Sequence, residues 1–379
     1  MRLRILHVVG ARPNFMKTAP IMAEMSRHPD RFEQLLVHTG QHYDYEMSEV
    51  FFEDLGLPEP DVFLGVGSGS HAEQTARTMV AFERVVQEWS PSWVFVVGDV
   101  NSTLACALVC AKLEVPVAHV EAGLRSRDRT MPEEINRVIT DQLADLLFTP
   151  SRDADANLRA EGVRPEKIHF VGNVMIDSLV RGLAGAATRP VVADLGLEPG
   201  GYVVVTLHRP SNVDDMRDLK EIIAALRTIN ERLPVVFPLH PRTRQSLGRD
   251  LVDGLAGEMR ILLPLGYLDF IALLRTAGLV ITDSGGLQEE TTYLGIPCLT
   301  VRTTTERPVT IEKGTNRLVE RSRDAILAAG LEAARAPRRE HTAPELWDGH
   351  TAARIVQTLA RLVDARQESP ATTVLEQGL

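Results

Sequence analysis

VPVAHVEAGLRSRDRTMPEEINR, residues 115–137, decides how the rest of the chain is read. It opens on an apolar run, Val115–Val120. A continuous apolar run, unlike an alternating one, marks a strand buried on both faces, hence a parallel sheet covered by helices. Charge then arrives at once, with Glu121, Arg125, Arg127, Asp128 and Arg129 ahead of Glu133, Glu134 and Arg137. Solvation explains a charged loop, but not charge set directly on the carboxyl end of a buried strand. Open α/β sheets place their ligands at that edge, which makes Glu121 and Glu133 candidates for chemistry.

Working outward, the same pattern repeats. Strands are expected at Leu3–Val9, Gln34–His38, Trp93–Val97, Val115–Val120, Leu146–Thr149 and Ile168–Val171. A second series follows at Tyr202–Leu207, Val235–Leu239, Ile261–Leu263, Leu279–Thr282, Pro297–Val301 and Arg317–Val319. Helical patterns separate them, as βαβ units require. Small residues, Pro and paired Gly between Gly182 and Gly201 mark a join. The expected fold class is α/β, with two Rossmann-like doubly wound parallel-sheet domains facing a cleft. Residues 1–180 form the first domain and 195–350 the second. Residues 351–379 supply a helix (Thr351–Ala365) and a polar tail that pack back toward the first domain.

The 379 residues, 44% hydrophobic and 24% charged, are long for one core and comfortable for two. With 41 basic and 51 acidic residues the net charge is −10, which argues against a nucleic-acid partner. A local basic pocket for a small anion remains open. Cys106, Cys110 and Cys298 have no metal-ligand spacing and suit a reducing compartment; no metal is expected. The start MRLRILHVVG has too short an apolar run for a signal or a membrane span. A cytoplasmic location without a membrane partner is expected.

The first strand ends VVGARPNFMK, residues 8–17. A dinucleotide fingerprint needs GxGxxG there, and only Gly10 is present, which argues against NAD. Arg12 and Lys17 follow instead, either within reach of one phosphate or as a solvated basic pair. Gly65–Gly69 (GVGSG) has the wrong spacing for a P-loop and reads as a mobile turn. Asp99, just after Trp93–Val97, is either the cap of the next helix or a carboxylate presented at a strand end. Thr130 three residues before Glu133 has the form of a capping box, so Glu133 has a structural reading beside its chemical one. Glu134 lies about 100° round the helix from it, so one of the pair faces the cleft.

In the second half two strands end in histidine, at Leu207-His208-Arg209-Pro210 and Leu239-His240-Pro241-Arg242. Structural hydrogen bonding and ligand contact both account for such residues, and neither has metal-ligand spacing around it. Leu279–Thr282 then runs into Asp283-Ser284-Gly285-Gly286-Leu287-Gln288-Glu289-Glu290. Strand, Ser-Gly-Gly and helix make an anion site, because the glycines let backbone N–H groups approach a phosphate at the positive helix end. A carboxylate close by must face something else, and sugar hydroxyls fit; helix-dipole stabilisation accounts for one of the two glutamates.

Together these motifs resemble the non-hydrolysing UDP-N-acetylglucosamine 2-epimerases over almost the full chain. The resemblance is carried by Gly10-Ala11-Arg12-Pro13, Gly98-Asp99, His119–Arg125, Pro132-Glu133-Glu134 and Asn136-Arg137. Gly172-Asn173, His208-Arg209, His240-Pro241, Thr282–Glu290 and Thr305-Glu306-Arg307-Pro308 extend it. It implies a GT-B type fold, with Asp99, Glu121 and Glu133 as catalytic carboxylates and His208 near a diphosphate. It implies Ser284, Gly285 and Gly286 as the phosphate-binding turn and Glu290 as a ribose-binding carboxylate. Arg12, Lys17 and His240 are implied as further substrate-binding residues. The implied reaction is reversible epimerisation at carbon 2, by elimination of UDP and re-addition, without NAD, another cofactor or an obligatory metal. A homodimer supplying envelope polysaccharide precursors is implied as well.

Some positions depart from the family pattern. Asn14 stands where many members carry Glu, Val309 follows Arg307-Pro308 where Glu is common, and Leu346–His350 stands for a usual Asn-Pro-aromatic-Gly-Asp-Gly. A modified UDP-sugar, such as a diacetamido uronic acid, is therefore an alternative substrate. Gln41 and Arg77 resemble parts of a second UDP-N-acetylglucosamine site that activates some members, with Asp44 replacing a usual Gln. Competing readings are a retaining GT-B glycosyltransferase, a hydrolysing epimerase and a non-catalytic UDP-sugar-binding regulator. The presence of all three carboxylates weighs against the last.

Overall fold

Apolar runs that end in Gly, Asp or His build two separate sheets. The computed structural model describes residues 2–40, 52–335 and 342–368, so Gln41, Asp44 and the end of the polar tail lie outside the described residues. The first sheet comprises β1 (Leu3–Val9), β2 (Phe32–His38), β3 (Val62–Phe63), β4 (Trp93–Val97), β5 (Val117–Val120), β6 (Leu146–Thr149) and β7 (Ile168–Phe170). The second comprises β8 (Val203–Thr206), β9 (Val235–Pro238), β10 (Arg260–Leu262), β11 (Leu279–Thr282), β12 (Cys298–Val301) and β13 (Asn316–Val319). The β5 strand begins two residues later than its apolar run. Pro116 has no N–H for the ladder, although its carbonyl still accepts the Val94 N–H at 2.9 Å. The two-residue β3, paired with Val37 and His38, is too short to leave a periodicity in the sequence.

Strand orders are β3-β2-β1-β4-β5-β6-β7 and β10-β9-β8-β11-β12-β13, with parallel neighbours throughout. Each order reverses direction once, between β1 and β4 in one sheet and between β8 and β11 in the other. A doubly wound sheet opens a crevice at that reversal, beyond the carboxyl ends of its strands.

Apolar side chains cover both faces of each sheet. Val203, Phe237 and Ile281 lead one cluster of the second sheet; Tyr202, Val204 and Val280 lead the other. On the first sheet, Leu6, Val94 and Leu147 pack against one helix layer. The opposite face joins Ile5, Trp93 and Phe148 to Ala352, Ile355 and Leu359 of the last helix, Thr351–Glu368. A further cluster unites Phe15 and Leu36 with Ile176, Leu179, Tyr267 and Trp347, binding the two halves through the helix Val174–Ala186. No helix among the described residues is long and apolar enough to cross a membrane.

Candidate active site

At the first reversal point the ends of β1 and β4 are tied together by Asn14. Its Oδ1 accepts the Gly10 and Ala11 N–H groups at 3.0 Å each, and its Nδ2 donates to the Val97 carbonyl at 3.1 Å. The helix Arg12–Met25 starts here and carries Lys17 into the buried side. Lys17 reaches Glu121 instead of facing outward beside Arg12, and the two form a buried ion pair. Gly98 makes room for it: its φ is +67°, and a Cβ would stand 3.0 Å from Lys17 Nζ. Burial lowers the Lys17 ammonium to about 8, against the opposing pull of Asp99.

The cap reading of Asp99 is overturned, since the helix Asn101–Lys112 is preceded by Val100 as its cap residue. The Asp99 carboxylate pairs with Arg137, and its backbone carbonyl accepts Asn136 Nδ2 at 2.9 Å. Burial pushes this carboxyl up, but Arg137, then Lys17 and Arg307, outweigh it and hold it below the usual range. Glu121 is buried and left-handed, at φ +70°, a conformation costing a non-glycine residue about 1–3 kcal/mol. One of its oxygens meets Lys17; the other accepts Arg307 Nη2 from the second domain at 2.5 Å.

The capping box expected at Glu133 does not form. Pro132 takes the first helical position of Pro132–Leu143, which its fixed φ favours, so Met131 becomes the cap residue and Glu133 stands second. Thr130 donates to Asp128 at 2.6 Å instead. Glu134 is the structural glutamate, buried and accepting Ser126 N–H at 2.8 Å, Ser126 Oγ at 3.0 Å and Arg127 N–H at 3.1 Å. Glu133 is half-buried, on the turn that carries Met131 against Arg209 and Arg302 of the second domain.

Across the crevice, His208 and His240 follow β8 and β9, their rings 5.4 Å apart. His208 Nδ1 lies 2.9 Å from Asp283, which also accepts the His208 and Arg209 N–H groups and Asn212 Nδ2. Burial raises the Asp283 carboxyl, yet His208 and these donors bring it down to about 2. His240 is lowered to about 4, by partial burial first and then by the charges of His208 and Arg12. Arg12 and His240, from opposite domains, therefore lie within electrostatic reach of each other. Ser284 occupies the cap position of the helix Gly285–Leu294 without a side-chain capping bond, and Gly285 and Gly286 are the first two helical residues. A Cβ on Gly285 would stand 2.6 Å from Arg307 Nη1. Glu290 sits apart from these groups, buried, with the Tyr267 hydroxyl donating to it at 3.4 Å. Burial, then the charge of Glu289, raises it to about 8.

Arg307 is the residue that residue-by-residue reading passed over. It donates to Glu121, to Glu289 at 2.6 Å and to Glu306, which in turn accepts Arg302 at 2.7 Å. Its signal was the Glu-Arg pair just beyond the β12 strand end. The structure brings Lys17, Glu121 and Arg307 into one buried cluster, with the half-buried Asp99 within electrostatic reach of Lys17 and Arg307. It sets His208 against Asp283 with the His240 ring beside it. Glu290 instead bonds the Tyr267 hydroxyl, and Glu133 stands on the first turn of Pro132–Leu143.

The family model described as UDP-N-acetylglucosamine 2-epimerase matches residues 23–360. The chain belongs to that family. It is an isomerase of GT-B architecture. Among its relatives, the UDP-2,3-diacetamido-2,3-dideoxy-D-glucuronate 2-epimerase of Pseudomonas aeruginosa is 46% identical over 329 residues, 86% of this chain and 90% of that one. The UDP-N-acetylglucosamine 2-epimerase of Methanocaldococcus jannaschii is 41% identical over 342 residues, 87% of this chain and 91% of its own. A crystal structure of the M. jannaschii epimerase in complex with UDP-GlcNAc and UDP superimposes with a TM-score of 0.89 at 39% identity, covering 95% of this chain and 100% of that one.

Proposed function

We propose that this epimerase interconverts UDP-N-acetylglucosamine and UDP-N-acetylmannosamine. Carbon 2 of the sugar has no adjacent carbonyl, so its proton is poorly acidic. Breaking the bond from carbon 1 to UDP builds positive charge at carbon 1 and makes loss of that proton feasible. The bonding electrons leave with UDP, a carboxylate takes the carbon 2 proton, and a 2-acetamidoglucal remains. Return of a proton to the opposite face and re-addition of UDP complete the inversion.

The observation that carries this reading is Glu121, a buried carboxylate at a strand end, flanked by Asp99 and held by cations from both domains. Asp99, Glu121 and Glu133 jointly move the two protons. His208 and the Ser284-Gly285-Gly286 turn stabilise the departing diphosphate, with Arg12 and His240 beside it. Glu290 takes the ribose hydroxyls. Lys17, paired with Glu121, adds positive charge on the substrate side of the cleft. The products are precursors of envelope polysaccharides, made in the cytoplasm by a homodimer.

The test is proton NMR of UDP-N-acetylglucosamine with the protein in D2O. Deuterium enters carbon 2 with the UDP linkage retained, and a second sugar nucleotide appears. Glu121→Gln and Glu133→Gln each suppress the exchange while UDP still binds. Absence of exchange and of a second sugar nucleotide refutes the reading for this substrate. The 46% identity to a diacetamido-glucuronate 2-epimerase favours that UDP-sugar as the second candidate, to be run in parallel.

A further inference from the structure

His119 and Asp141 have no part in the chemistry above, yet they are a fully buried pair in direct contact, His119 two residues before Glu121 and Asp141 four after Arg137. His119 lies on the β5 face that packs against the helices, between Val117 and the strand end. Its Nδ1 is 2.7 Å from Asp141 Oδ1 and its Nε2 is 2.8 Å from the Gly98 carbonyl oxygen. Both partners are acceptors, whereas a neutral imidazole has one N–H and would turn a lone pair against the other oxygen. Asp141 also accepts Arg125 Nη1 at 2.7 Å and the Gly123 N–H at 3.1 Å, while Glu161 pairs with Arg125 at 2.6 Å and with the exposed Arg127 at 3.7 Å.

The Gly98 carbonyl belongs to the peptide bond that leads into Asp99. The far side of Asp99 is held by Asn136 through its carbonyl and by Arg137 through its carboxylate. Asp141 follows Arg137 by one turn on the same helix, Pro132–Leu143, so one helix face grips Asp99 from both sides. Glu121 comes two residues after His119, where the backbone turns left-handed.

We propose that His119, held as a doubly donating imidazolium by Asp141, is a positioning residue for the epimerisation, fixing the Gly98–Asp99 peptide and the strand end that presents Glu121. This rests on Asp99 and Glu121 being reacting groups. The charged groups around the ring are Asp141 from the helix, Arg125 from the loop after β5, Glu161 through Arg125, Arg127 through Glu161, and Arg137, which pairs with Asp99.

The experiment combines 15N NMR of histidine-labelled protein with pH profiles of carbon 2 exchange. In the unmodified protein both His119 ring nitrogens carry protons, as the two acceptors facing them require. Asp141→Asn keeps the shape and removes the anion, so its ring holds the second proton only in acid. Its kcat falls by about 100-fold at neutral pH, the scale of a misplaced catalytic group, and recovers as the pH is lowered. KM for the sugar nucleotide and UDP affinity stay within about threefold, a shift under 1 kcal/mol. His119→Gln, which keeps one N–H for Gly98, loses kcat without recovery in acid and carries the kinetic test if Asp141→Asn fails to fold. A singly protonated ring in the unmodified protein overturns the proposal, as does an unchanged kcat in either folded variant. Lack of exchange in the unmodified protein instead overturns the assigned reaction.

Discussion

Replacing Arg307 by Gln tests the buried network most directly. Its guanidinium serves Glu121 at 2.5 Å, Glu289 at 2.6 Å and also Glu306. Carboxylates arranged round one guanidinium lie roughly 5 Å apart, and at an effective dielectric of about 20 each pair repels by about 3 kcal/mol. Lys17 still pairs with Glu121 and Arg302 with Glu306, which offsets part of this. Glu289 loses its cation outright. The net loss of stability is expected at about 3–5 kcal/mol, as for removing one partner of a buried pair. Urea unfolding of both proteins measures it. A deficit under about 1 kcal/mol, the range of a solvent-exposed pair, refutes the network argument.

Other expectations follow from single residues. Gly285→Ala drives Arg307 from its place and weakens UDP binding about tenfold or more, some 1.4 kcal/mol by calorimetry; unchanged affinity counts against close packing there. Because Glu290 is raised to about 8, the proposed ribose contact predicts a UDP affinity that increases as pH passes upward through that value and the carboxylate ionises. Glu290→Gln flattens that profile, and a flat profile in the unmodified protein argues against the ribose role. Ile355→Ala, at a fully buried position between the last helix and the first sheet, costs about 2–5 kcal/mol in denaturant titration. Light scattering returns twice the mass of one chain if the homodimer is right, and a monomer mass contradicts it.

The fold was largely legible because buried parallel strands leave continuous apolar runs, and the strand-end residues marked both crevices. What escaped the sequence was set by one-residue shifts and by contacts between domains. Pro132 moved the helix start by a single position, which turned the expected Thr130–Glu133 box into a cap at Met131 and gave the structural task to Glu134. Lys17 turns inward on its helix to pair with Glu121, a contact made only by the fold. Arg307 is 186 residues from Glu121 in sequence, and no local pattern announces such a partner.

Position 121 answers to two unrelated demands. Its backbone conformation is one that glycine adopts freely, so steric preference alone would place glycine there. Its surroundings are two cations from different domains, so only an anion leaves them matched. Glycine satisfies the first demand and fails the second; an uncharged larger side chain fails the second and, Asn apart, gains nothing on the first. Saturation mutagenesis should therefore find almost no tolerated replacement at Glu121, with Asp keeping the charge but shortening its reach. The intolerance at this site has two separable origins, one conformational and one electrostatic.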